Sequence, residues 1–126
     1  MSVKYVLVER PNPMQPAAPK KTYAVAKSAG EVTLKQLSKD ISARSTVNSS
    51  DTLAVLDSLI QQLTKELEAG RIVRFGDFGS FQLSISSEGA VSADKFTGSM
   101  IKKSRIVFRP GSDLRDMLAT VSYSKA

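Results

Sequence analysis

The chain has no cysteine, no histidine and no tryptophan. Without cysteine there are no disulfides, thiol nucleophiles or thiolate metal ligands; without histidine the commonest general base and the commonest metal ligand are also missing. Aromatic residues make up only 6% of the 126 positions, so those present have to be placed where they count. No apolar run approaches the ~20 residues that a membrane-spanning helix needs. The N-terminal "VKYVLVERPNP" is too short and too charged for the apolar part of a secretory leader. These absences point to a cytoplasmic chain with no metal, no cofactor, no small-molecule substrate and no membrane contact. Paired carboxylates such as Asp51/Asp57 and Asp113/Asp116 sit in helical segments with capping or surface roles open to them, and no nucleophile or metal-ligand set accompanies them. The chain does not read as an enzyme.

What is present is charge of one sign. Eighteen Lys and Arg stand against twelve Asp and Glu, a net +6, which suits a polyanionic partner. The excess falls in residues 1–33 and 71–126, while 34–70 is slightly acidic. A chain this long buries one core, with room for an added extension.

Residues 3–8, "VKYVLV", read as a strand, and "TYAVA" as a second strand pairing back on it. Between them, Arg10 to Lys21 holds four of the five prolines and reads as a loop. Thr33 and Gln36 have capping-box spacing, and Leu34, Leu37 and Ile41 follow at helical intervals. Asn48 and Asp51 repeat the cap signal. Leu53, Leu56, Ile60, Leu63 and Leu67 then mark a longer helix, stopped at Gly70. After Gly70 the period changes to two. Phe81, Leu83 and Ile85 alternate with Ser80, Gln82, Ser84 and Ser86, which gives a strand with one apolar face. Gly76 to Gly79 forms a turn, and Phe75, Phe78 and Phe81 cluster round it to plug a core made by the helices. "SSEGAVSADKFTGSMIKK" reads as an arm or long loop, "SRIVFRP" as a returning strand, and Ser112 or Asp113 opens a short final helix.

The order helix, helix, "GRIVRFGDFGSF", arm, "FRPGSDLRDML" resembles the bacterial histone-like HU and integration host factor family, over roughly Leu34 to Leu118. The residues that carry the resemblance are Phe78-Gly79-Ser80-Phe81, and Phe108-Arg109-Pro110-Gly111 followed by Leu114 and Asp116. The N-terminal strands lie outside the standard family body and are similar to the variant found in Bacteroidetes-type chains. The resemblance implies an α+β fold: an HU/IHF-like intertwined dimer with a helical hairpin, a three-stranded antiparallel sheet with an extended β-arm, a short C-terminal helix and the added β extension. Residues 1–30 would be that extension with its proline-rich loop, and residues 31–126 the DNA-binding domain. A second copy, identical or a paralogue, would share a dimer core of Leu53, Leu56, Ile60, Phe75, Phe78, Phe81 and Phe108.

The implied function is that of a largely sequence-nonspecific, architectural, nucleoid-associated protein that condenses double-stranded DNA, gripping the phosphate backbone and minor groove with basic β-ribbons. Arg71, Arg74, Lys95, Lys102, Lys103, Arg105 and Arg109 are the candidate DNA contacts, guanidinium groups being well suited to phosphate. The arm departs from the family pattern, because Ser84 to Met100 contains neither proline nor arginine. Phe96 or Met100 is the substitute candidate for an intercalating wedge. The alternative is a protein-interaction module of the same fold with little DNA binding, its N-terminal strands adding to a partner's sheet.

Overall fold

A computed structural model describes residues 1–126. The chain forms two compact units: Met1–Thr33 with Met117–Ala126, and Leu34–Asp116. In the first, β1 (Val3–Arg10) and β2 (Lys21–Lys27) make the antiparallel hairpin that the β-branched runs require. The proline-rich segment turns between them, tightened where the Asn12 side-chain oxygen accepts from the Met14 N–H at 2.9 Å. A third strand, β6 (Tyr123–Lys125), lies parallel to β1 on its other side and completes the order β2-β1-β6. The C-terminal tail thus belongs to the same unit as the N-terminal hairpin.

In the second unit, α1 (Leu34–Ser42) and α2 (Ser49–Glu68) form the helical hairpin. Asn48 caps α2, its side-chain oxygen accepting from the Asp51 N–H at 2.9 Å. At the other end Gly70 has φ +80. Its N–H donates to the Leu67 carbonyl while the Arg71 N–H reaches back to Glu66. This paired arrangement satisfies carbonyls that the last turn leaves open, and the left-handed position favours glycine. The most buried side chain of α1 is Ser38, 1% exposed, not the leucine stripe; Leu37 remains exposed. A small residue lets α1 approach α2 closely, and the Ser38 hydroxyl donates to its own helix at the Lys35 carbonyl, 2.6 Å. Thr52 on α2 does the same towards Asn48.

The second sheet has the order β3-β4-β5, all antiparallel, from β3 (Val73–Phe75), β4 (Gly79–Ser87) and β5 (Ile101–Pro110). A 3-10 turn at Gly76–Phe78 joins β3 to β4. Gly79, at φ +153, leaves that turn against β5: a Cβ there would stand 2.5 Å from the Arg109 carbonyl oxygen and 2.7 Å from the Phe108 ring. Two further 3-10 turns, Ala93–Lys95 and Gly98–Met100, occupy the arm between β4 and β5. The helix α3 (Ser112–Thr120) follows directly.

The phenylalanines form a row. Phe75 meets Phe78 edge to face at 6.0 Å, Phe78 meets Phe108 at 5.7 Å, and Phe81 meets Phe108 at 4.8 Å between ring centroids. The expected plugging of a core made by the helices is not completed within one chain. No apolar side chain anywhere in it is buried, and Phe78 remains 44% exposed.

Candidate nucleic-acid interface

Residues opposite one another in an antiparallel pair share a face, and neighbours along a strand alternate. The register of the second sheet pairs Arg74 with Ser80, Ser80 with Arg109, Gln82 with Val107, Ser84 with Arg105 and Ser86 with Lys103. Four cations from two strands therefore lie on one face, divided by the small hydroxyls of β4. No acidic residue belongs to these three strands. Arg74, Lys103, Arg105 and Arg109 are all exposed. A shallow hollow of about 170 Å³ lies at the lower end, lined by Arg74, Ser80, Arg109 and the backbone of Gly76, Gly79 and Gly111. Near the upper end Lys103 and Arg105 flank another of about 190 Å³. Serine opposite arginine leaves the guanidinium without a protein counter-ion and leaves room beside it for an external oxyanion.

The other face carries Val73, Phe81, Leu83, Ile85, Ile106 and Phe108. Ile85 is 56% exposed and Ile106 53%. The ribbon is thus cationic on one side and apolar on the other.

The remaining candidates are placed elsewhere. Arg71 lies outside the ribbon, at the stop of α2, where its guanidinium donates to the Glu66 carboxylate at 2.7 Å. That bond holds the Glu66 carboxyl below its ordinary range, and Glu66 in return raises the Arg71 guanidinium. Lys102 sits at the irregularity where the register slips between Ser86 and Ser87. It pairs with Glu88 at 3.2 Å. Lys95 itself closes the first arm turn and Phe96 follows it, 40% exposed. Met100 ends the second turn, at the arm's base, where its carbonyl accepts from the Glu88 N–H at 2.9 Å. Reading the sequence residue by residue grouped Lys102 and Lys103 together; laying β4 against β5 would have separated them. It would also have revealed the serine opposite each ribbon cation.

The profile of a family described as "HU domain fused to wHTH, Ig, or Glycine-rich motif" matches residues 1–125. No curated protein sequence matches the chain. Among solved structures, the fold is similar to that of a candidate bacterial DNA-binding protein from Bacteroides vulgatus, with a TM-score of 0.68 at 10% identity over 98% of this chain. The chain spans about half of that protein, 47% of its length. The helical hairpin, the three-stranded ribbon with its arm and the short helix after Phe108-Arg109-Pro110-Gly111 thus stand in a sequence matched over nearly its full length by one profile: this chain belongs to the HU-HIG family, HU domains fused to further modules.

Proposed function

We propose that the chain acts as a dimeric, largely sequence-nonspecific DNA-binding protein of architectural type, associated with the nucleoid. The observation that carries this reading is the sorting of the ribbon: Arg74, Lys103, Arg105 and Arg109 share a face from which carboxylates are absent, backed by an apolar face. The division gives each face one job. The cationic face meets phosphates and releases their counterions, a contact that carries no base information. The apolar face and the row of phenylalanines meet the same surface of a second copy, an isologous contact that a two-fold axis closes. Leu53, Leu56 and Ile60 on α2 extend that surface, and the complete lack of buried apolar side chains in the single chain supports the need for it.

The helices of this chain are occupied with packing and capping, and none presents an Arg, Asn and Gln set fit for reading base edges. Affinity then comes from charge and from how readily the duplex deforms. Phe96, exposed on the arm, is the side chain available to wedge between base pairs.

The test is an electrophoretic mobility shift with linear, nicked and pre-bent duplexes. The wild-type chain is expected to shift unrelated sequences equally, and Arg105→Glu/Arg109→Glu to weaken the shift strongly. An undiminished shift with that variant would remove the ribbon from the account.

A further inference from the structure

The N-terminal sheet carries a second set of cations in an arrangement the ribbon does not have. The register of β1 and β2 sets Lys4 directly opposite Lys27 and Arg10 directly opposite Lys21. Between these pairs, on the same face, lie Val6 opposite Val25 and Val8 opposite Tyr23. All four cations are exposed, and neither pair has an ion-pair partner within the chain. Glu9 is the only acidic residue of the three strands, and its odd position puts it on the opposite face with Tyr5 and Leu7.

Like charges directly opposite across a strand pair are destabilising. A hairpin with two such pairs on one face, and none of its carboxylates there to relieve them, leaves both pairs open to an external anion. From Lys4 to Arg10 is six residues of strand, a span of about 20 Å at ~3.3 Å per residue. A single small anion cannot reach both ends. A rod with charge repeated every few ångströms does so, and one DNA strand presents a phosphate about every 3.4 Å along the axis. At the Arg10 and Lys21 end the face continues into a concavity of about 660 Å³, where Lys20 and Tyr23 join them against Pro11, Pro13 and Pro19. Prolines fix that loop's shape, so its cations are held with less freedom to lose on binding.

We infer that this face of the N-terminal sheet, through Lys4, Arg10, Lys21 and Lys27, is a second docking surface for the phosphate backbone of duplex DNA. Its argument does not pass through the ribbon: either surface binds whether or not the other does.

The experiment measures the affinity of the full chain for a labelled duplex by fluorescence anisotropy across salt. The variant Lys4→Gln/Arg10→Gln/Lys21→Gln/Lys27→Gln is compared with wild type, in both the native and the Arg105→Glu/Arg109→Glu ribbon background. At ~0.9 per phosphate contact, the plot of log affinity against log salt should flatten by about 3 to 4 for the quadruple variant. The charge-preserving Lys4→Arg/Lys21→Arg/Lys27→Arg chain should keep its slope. Because glutamine relieves the cross-strand repulsion, the quadruple variant should melt no lower than wild type by circular dichroism, which excludes misfolding as the cause. A slope change of less than one overturns the inference, as does a variant that loses binding to phosphatidylserine vesicles while its DNA titration is unchanged. If Arg105→Glu/Arg109→Glu alone leaves DNA affinity intact while the glutamine variant loses it, the ribbon reading fails and this one stands.

Discussion

Two three-stranded sheets in one chain solve the same problem differently. The ribbon of β3, β4 and β5 separates its chemistry by face: cations with serines on one side, Phe81, Leu83, Ile106 and Phe108 on the other. The sheet of β2, β1 and β6 separates it along the strand instead, with like-charged pairs at the two ends of one face and three valines and Tyr23 between them. Its other face holds an apolar hollow of about 320 Å³ lined by Val3, Tyr5, Ala24, Ala26 and Tyr123, with Glu9 and Thr22 at one end. Period-two alternation of charge and grease gives a sheet with a wet side and a dry side. Clustering the charges at strand ends gives a face that is neither, and therefore one that depends on whatever it meets.

The comparison breaks most readily at the dry side of the ribbon. Phe108 touches both Phe78 and Phe81, and in the proposed dimer it would be covered by both copies. Phe108→Ala should cost about 3 to 5 kcal/mol and leave no cooperative thermal transition; a loss below ~1 kcal/mol would mean that the aromatic row stays wet in solution. Next in size is Gly79→Ala, which drives a methyl into the Arg109 carbonyl and the Phe108 ring at a positive φ. About 2 kcal/mol or more of destabilisation by urea titration is expected, with the ribbon register disturbed and DNA affinity falling alongside. A variant of wild-type stability would show that the turn has slack.

Those two substitutions act where sequence and structure agree, and the agreement has a physical basis. Alternation in "SFQLSIS" and "SRIVFR" fixes which residues share a face once the strands pair, and helical spacing with Asn48 and Gly70 as punctuation fixes the hairpin before it. Other features have no such local signature. The strand Tyr123–Lys125 is three residues long and is held by backbone bonds to β1, such as the Val3 N–H donating to the Ser122 carbonyl at 2.8 Å; only the presence of β1 makes it a strand. Ser38 is buried because two helices meet there, which hydropathy does not register. Lys102 looks equivalent to Lys103, yet the register skips Lys102 and pairs Lys103 with Ser86. The candidate site was legible as a set of basic positions on a returning strand, and illegible as a face, because a face is a property of two strands in register.

Smaller effects sharpen the picture away from the sheets. Asn48→Ala removes the N-cap of α2 and should cost about 1 kcal/mol in chemical denaturation, without altering the slope of DNA affinity against salt. A change in that slope would mean that the hairpin touches DNA. Smallest is Arg71→Ala. Glu66 titrates low because Arg71 donates to it, so its carboxyl should move up towards the ordinary range in an NMR titration of the variant. A carboxyl with a depressed folded value stabilises above its unfolded value and loses that contribution as pH falls through the folded one. The wild-type chain should therefore lose this increment on acidification below the ordinary carboxylate range, and the variant should lack it. The pair is surface-exposed, so the stability change is slight; an unchanged Glu66 would mean that the two side chains do not meet in solution.

The account rests on one chain being unable to cover its own apolar surface. Sedimentation equilibrium of the purified chain, without DNA and at micromolar concentration, tests this most directly. A particle of twice the 13.6 kDa chain mass, persisting on dilution and lost together with cooperative melting in Phe108→Ala, is the predicted result. A compact, cooperatively melting particle of one chain mass would contradict it.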